Sequence, residues 1–393
     1  GSRMRTRSTS TKRSRITASL DARLMSIAYF AHELAAAAVQ KRMRMLPLAG
    51  REVTLLGFER DRGDAEAAAS HQGIVLGRTQ NRRLFSRLIS VLLAIPRAMR
   101  AQDAWRSADL IIARNLEMLI LVTLLTRFSG VRPQLAYECL DIHRIALSDG
   151  PTGAIVRAVE RACLSNVTVL TSSPAFERHY FRARQRFAGR ILIAENKVLA
   201  LAGAAPMALG SGPPWRIAWC GVLRCKRSFE LLRRLAGTHN VHVDLWGMPA
   251  LDQIPDFHHA VEATPGLAFH GAYTPEDLPT IYGGAHFSWA IDFYEAGGNS
   301  DWLLPNRLYE SLCYGAVPVA ANGVETARWL QKHEAGATLE GPLEASLPAF
   351  FDALSPERYS LLRAAALKLP PEATCYTAEG CRAFAAELAG VAA

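Results

Sequence analysis

The amino-acid sequence predicts an α/β protein of two Rossmann-like, doubly wound domains facing each other across a cleft. Three observations lead there. The chain has 393 residues, more than one ordinary core organises and comfortable for two α/β units. Short apolar runs of strand length alternate with helical patterns, which predicts parallel sheets with right-handed crossovers. The alternation breaks once, at 200–214, an Ala-, Gly- and Pro-rich stretch with the character of an interdomain linker.

In the first half, residues 24–30 (LMSIAYF) read as a strand, and a small-residue stretch at 35–38 opens a helix running through 41–48 to Gly50. Strands follow at 52–58, 110–113, 134–139 and 166–171. The run 110–128 is apolar enough to suggest a membrane span, but Arg114 and Glu117 argue against one, so a strand and a buried helix are expected. After the linker, strands are expected at 215–219, 241–246, 267–270, 285–290 and 317–320, with helices at 228–236, 275–282 and 306–314. A ligand crevice then lies between the domains, at the strand C-terminal ends.

Apolar residues make up 50% of the chain and charged residues 21%, a globular composition. The seven cysteines are scattered, with neither Cys-x-x-Cys nor zinc-ligand spacing, so a reducing compartment and no metal site are expected. Residues 3–15 are basic and Ser/Thr-rich without an apolar stretch behind them, so no secretory signal is expected. The net charge of +9 is concentrated in a basic tail (residues 1–20) and in Arg82, Arg83, Arg87, Arg97 and Arg100, interleaved with Leu84, Phe85, Leu88, Ile89 and Val91 to Leu93. One amphipathic helix accommodates both sets, either on an anionic membrane surface or as an ordinary surface helix. Nucleic acid is not an expected partner, because no aromatics are interleaved with the basic residues.

The segment 302–321, WLLPNRLYESLCYGAVPVAA, carries the chemistry. Pro305 suits the first turn of a helix and Gly315 its left-handed end. Asn306 and Arg307 then sit at the helix N-terminus, where free N–H groups and the dipole attract an anion. Glu310, one turn further along, is placed to accept hydrogen bonds from sugar hydroxyls. Together they outline a nucleotide-diphosphate site; the alternative is a surface helix with an incidental Arg–Glu pair.

The run PNRLYESLCYGAVPVA resembles the donor-binding motif of family-4-like GT-B glycosyltransferases of the bacterial exopolysaccharide type. That resemblance implies that Glu310 holds the donor ribose. The family's other glutamate, eight positions earlier, is Trp302 here; Asp301 and Glu295 are nearby without the spacing. The segment IAWCGVLRCKRSFELL, 217–232, resembles the first strand of the family's donor domain, which implies that Gly221, Arg224 and Lys226 meet the diphosphate. Fainter matches are TSSPAFERHYF at 171–181, AENKV at 194–198 and, where the family contacts the base, FHGAYTPEDLPTIYGGAHFSWA at 269–290. The resemblance implies an N-terminal acceptor domain (21–205), a nucleotide-sugar donor domain (206–375) and a last helix (376–393) returning to the first domain. Domain closure over the donor is expected, with hinges at the linker and before that helix.

For the catalytic base, the strand-ending segment YECLDIHR (137–144) offers Glu138, Asp141, His143 and Arg144. Asp141 resembles the carboxylate of inverting relatives and His143 the histidine of retaining ones; the plain reading makes Asp141 a helix N-cap. His32, Glu33, Arg114 and Asn115, after other strands, are lesser cleft candidates. The function expected is transfer of a sugar from a nucleotide diphosphate, uridine by preference, to a saccharide or polyprenyl-diphosphate-linked acceptor at the inner face of the plasma membrane. No metal or other cofactor is expected, because Arg224 and Lys226 offset the diphosphate charge. The alternatives are a nucleotide-sugar epimerase of the same fold and a catalytically silent scaffold in a polysaccharide assembly complex. A dehydrogenase is excluded by the lack of Gly-x-Gly-x-x-Gly after either first strand.

Overall fold

A computed structural model of the chain describes residues 25–60, 73–79, 84–199 and 209–390. The basic tail, Arg82, Arg83 and most of the expected linker lie outside the described residues. The N-terminal sheet contains β1 (Ser26–Ala31), β2 (Glu52–Arg60), β3 (Ile74–Thr79), β4 (Leu110–Arg114), β5 (Gln134–Cys139), β6 (Val167–Thr171) and β7 (Ile191–Ile193). Its order is β3-β2-β1-β4-β5-β6-β7, and every pairing is parallel. After β8 (Val198–Leu199), the C-terminal sheet contains β9 (Trp215–Leu223), β10 (Val241–Pro249), β11 (Leu267–Phe269), β12 (Phe287–Trp289), β13 (Val317–Ala321) and β14 (Ala337–Leu339). Its order, β11-β10-β9-β12-β13-β14, follows the same plan. In each sheet the winding reverses beside the domain's first strand, which opens a crevice at the strand C-terminal ends.

Alternation along β1 explains why that sheet is covered on both faces. Ala28 and Phe30 point into a cluster with Met118, Leu121 and Leu125, whereas Ile27, Tyr29 and Ala31 point into one with Val39, Leu46 and Phe384. The first cluster is roofed by α2 (Leu84–Arg100) and α3 (Leu116–Ser129), and the second by α1 (Ala37–Met45) and the helix Ala378–Leu388. The expected strand and buried helix at 110–128 are thus β4 and α3. The last helix packs on the N-terminal sheet through Cys381, Phe384 and Leu388, and β15 (Cys375–Tyr376) pairs with β8 just before it.

The structure departs from the sequence reading at three local points. Strand β9 does not end near Trp219 but continues through Gly221 to Leu223. Gly221 (φ 118) and Gly247 (φ 123) face each other across β9 and β10, and a Cβ on Gly247 would lie 1.9 Å from the Gly221 carbonyl oxygen. Only glycine lets that ladder run on. Pro305 stands outside its helix as the N-cap, extended at ψ 153, and the helix is Asn306–Tyr314. The strand expected at 285–290 is β12, Phe287–Trp289, with the His286 and Ala290 N–H groups at its ends still donating to the Arg216 and Val319 carbonyls of the neighbouring strands.

Candidate active site in the interdomain cleft

A cavity of about 670 Å³ separates the domains. From the N-terminal domain it is lined by residues just beyond three adjacent strands: His32 after β1, Arg114 and Asn115 at the end of β4, Asp141 and His143 after β5. Arg224, Tyr294 and Glu295 face them from the other domain.

Within YECLDIHR the structure separates four polar residues into distinct roles. Glu138 is fully buried. Arg42 Nε and Nη2 donate to its Oε1 at 3.0 and 2.7 Å, Arg114 Nη1 donates to Oε2 at 3.0 Å, and the Tyr29 hydroxyl donates to Oε2 as well. Burial alone would raise the Glu138 pKa, but the two guanidiniums overcome it and hold the carboxyl down at about 2. Glu138 is therefore a permanent anion that knits α1, β1, β4 and β5 together, and no free base. Asp141 opens onto the cleft. The mass of protein around it pushes its carboxyl up, with Glu295 and Asp292 adding repulsion against the pull of Arg114 and Arg224. A cleft carboxyl raised in this way suits a general base.

Asp141 caps no helix. The N-cap of the short helix α4 (Arg144–Leu147) is His143, whose Nδ1 accepts from Ile145 N at 3.2 Å. Arg144 crosses the cleft: its Nε donates to Glu295 Oε1, and its guanidinium lies 4.6 Å from the centre of the Tyr294 ring. Arg224 approaches the same ring at 4.3 Å.

The C-terminal candidates fall into two groups. Arg224 shares the cavity with Asp141 and His143. Gly221 sits at the cleft end of β9 with nothing within 4 Å of its would-be Cβ, so its backbone is approachable. Lys226 is exposed as the first residue of helix Lys226–Leu235. Asn306 is exposed at the start of helix Asn306–Tyr314, and Arg307 Nη2 donates to the Ile291 carbonyl at 3.3 Å. Glu310 lies deeper, accepting from Tyr282 Oη at 3.2 Å. Burial pushes its carboxyl up, against the pull of Tyr282, Lys41 and Arg307. Gly221, Lys226, Asn306, Arg307 and Glu310 are not among the residues that line the cavity holding Asp141.

No family model matches the sequence. The chain is 39% identical over 379 residues to the succinoglycan biosynthesis protein ExoL of Rhizobium meliloti (strain 1021), spanning 93% of this chain and 94% of that one. The chain belongs to the ExoL family. Among solved structures, HepE of Anabaena in complex with UDP-glucose superposes with a TM-score of 0.67 at 13% identity, covering 92% of this chain and 98% of that one. Sucrose-phosphate synthase from Thermosynechococcus elongatus gives 0.62 at 16% identity (88% and 97% covered). WaaG, a glycosyltransferase involved in lipopolysaccharide biosynthesis, gives 0.55 at 14% (91% and 95%). At such identities the likeness establishes the fold, which is GT-B.

Sequence reasoning missed what the other domain contributes to this ExoL-family site. Lys41, on α1, stands near Glu310; burial and the like charge of Arg42 bring its ammonium down to about 8, and Glu310 draws it the other way. Asn299 fastens the domains: its Oδ1 accepts from Ile142 N at 3.0 Å and its Nδ2 donates to Ile142 O at 2.7 Å. Trp302, where the family resemblance leads one to expect glutamate, stacks on His179 with ring centres 5.4 Å apart, and its carbonyl accepts from Ser173. That position closes the domain interface. Asp301 accepts from the Gly297 N–H and shapes the loop; Glu295 holds Arg144 and Asn299. Neither replaces the expected carboxylate in sequence spacing.

Proposed function

We propose that the chain is a glycosyltransferase that moves a hexose or hexuronic acid from a uridine-diphosphate donor to a saccharide on a polyprenyl-diphosphate lipid, in surface polysaccharide biosynthesis. The observation that carries the reading is the GT-B cleft in which the Asp141 carboxyl on the N-terminal rim faces the Arg224 cation on the other. In this reading Glu310 accepts the ribose hydroxyls. The approachable Gly221 backbone admits the diphosphate, and Arg224 with Lys226 offsets the charge of the leaving nucleotide without a divalent metal. Asp141 takes the proton of the acceptor hydroxyl as the new bond forms. Two comparisons support the class: HepE binds UDP-glucose, and ExoL acts in succinoglycan biosynthesis.

A membrane-held acceptor accounts for a second feature. On α2, Leu92 and Leu93 are exposed to 46% and 67% beside the exposed Arg97 and Arg100. Exposed leucines flanked by cations suit an anionic lipid surface at the inner face of the plasma membrane. Among the described residues no helix is long and apolar enough to cross a membrane.

The test is thermal shift with uridine, guanosine and adenosine diphosphates, alone and on Glu310→Ala. A ligand that binds only the folded chain raises its melting temperature. One diphosphate should stabilise the chain and lose that effect in the variant. No shift with any nucleotide would favour a catalytically silent scaffold, for which Trp302 in place of glutamate already speaks. Asp141→Asn should lower transfer by about 10²- to 10⁴-fold while leaving the nucleotide shift intact.

A further inference from the structure

Asn115 follows β4 directly and holds the N-cap position of α3, where an asparagine side chain ordinarily accepts a hydrogen bond from the free N–H groups of the first turn. It makes no such bond. Its backbone stands at φ 70, ψ 164, a conformation that residues with a Cβ rarely hold and that clusters at functional sites. Asn115 N donates to the Glu138 carbonyl at 2.9 Å, which fixes the backbone in place. The side chain turns instead to the neighbouring strand end: Nδ2 donates to His32 Nδ1 at 3.1 Å. The sheet register makes this meeting unavoidable. Phe30 of β1 pairs with Ala113 of β4, so the residues two further on in each chain segment face each other.

Both residues line the cavity that holds Asp141. Arg114, the residue before Asn115, is buried, and its Nε has no hydrogen-bond partner among the described residues. An asparagine that forgoes its helix cap and adopts a disfavoured backbone, at the rim of a cleft, is placed for something other than stability. Because Nδ1 of His32 is an acceptor, the neutral imidazole carries its proton on Nε2.

We propose that Asn115 is a positioning residue: it holds His32 as the Nε2–H tautomer on the N-terminal wall of the cleft, where the ring donates a hydrogen bond to a hydroxyl oxygen of the acceptor saccharide and steers it toward Asp141. The acceptor's part in this rests on the glycosyl-transfer reading above; the tautomer does not.

Two measurements test it. In the first, ¹⁵N NMR of the histidine-labelled chain, with the signal assigned through His32→Gln, should show Nδ1 of His32 unprotonated at neutral pH. It should show that nitrogen protonated in Asn115→Asp, where an acceptor replaces the amide donor. In the second, UDP-hexoses and a panel of synthetic polyprenyl-diphosphate saccharides are tried, and the fastest pair is used for kinetics. Asn115→Gly, which relieves the backbone and removes the amide, should melt no lower than the unchanged chain and keep its UDP-induced thermal shift. Its kcat/KM for the acceptor should fall about 10- to 100-fold, the loss of one well-placed hydrogen bond. His32→Gln, which keeps an N–H donor, should retain more acceptor turnover than His32→Ala. Protonated Nδ1 in the unchanged chain, or full acceptor kcat/KM in Asn115→Gly, would overturn the proposal. If the unchanged chain glycosylates no member of the panel, the functional reading fails instead, and the NMR result still decides the positioning.

Discussion

Glu138 and Glu310 are two carboxylates in one molecule, one beneath each rim of the cleft, and their surroundings drive them in opposite directions. Glu138 has every acceptor position engaged by Arg42, Arg114 and Tyr29, and its pKa falls to about 2. Glu310 accepts from Tyr282, with Lys41 and Arg307 at longer range, and its pKa rises. A carboxylate saturated by the protein's own cations is architecture. One that is deep, raised and incompletely matched retains acceptor capacity for a ligand. The difference separates a residue that builds the N-terminal wall from one to which the proposed function gives a binding role on the C-terminal side.

The comparison can be broken most forcefully at Glu138. Glu138→Ala leaves two guanidiniums buried without their counter-charge, and the unfolding free energy should fall by about 3–5 kcal/mol. Chemical denaturation checks this; a change under about 1 kcal/mol would show that Glu138 is no lock. The pH dependence has a definite sign. The folded pKa lies below the ordinary 4.5, so the stabilisation is complete above that value and is lost as pH falls toward 2.

Glu310→Gln should do the reverse. Its folded pKa is raised, so the ionised side chain is disfavoured in the fold, and removing the charge should leave stability unchanged or slightly higher. Affinity for the donor nucleotide should nonetheless fall by about 10- to 100-fold, as expected for lost charge-assisted hydrogen bonds. Isothermal titration with UDP reads this directly, and equal affinity in both chains would remove Glu310 from the site. A smaller effect belongs to Lys41, whose ammonium titrates at about 8. It is charged below that pH and attracts a diphosphate, so UDP affinity should weaken several-fold as pH rises past 8, and Lys41→Met should flatten that limb. The smallest effect is expected from Arg178→Ala, which cuts the 2.7 Å half-exposed bridge to Glu325: about 1 kcal/mol or less in stability.

Much of this was legible along the chain. The helix Asn306–Tyr314 and the strand Gln134–Cys139 have the bounds that Pro305, Gly315 and the apolar runs mark out. Order and spacing were enough to bring Arg224, Asp141 and His143 to one cavity, whose lining does not include Glu310. What could not be read depended on partners distant in sequence. Arg42 looks like any exposed helical arginine until Glu138, nearly a hundred positions away, is folded beneath it. The four polar residues of YECLDIHR are alike in sequence; the Arg42, Arg114 and Tyr29 contacts divide Glu138 from the cleft-facing Asp141, and the cap expected of Asp141 is made by His143. Trp302 reads as a missing glutamate, but its ring serves the domain interface against His179, which no local pattern announces. Strands as short as β7, β14 and β15 carry too few residues for periodicity to register.

The central claim is sugar transfer in this cleft. The direct test incubates the chain, and Glu310→Ala beside it, with UDP-[¹⁴C]glucose, other labelled nucleotide sugars and polyprenyl-diphosphate-linked saccharides, and counts the label extracted with the lipid. Label entering the lipid fraction with one uridine-diphosphate sugar, and falling at least tenfold in the variant, is the predicted result. An unlabelled lipid fraction with every donor, under conditions where the folded chain is intact, would contradict it.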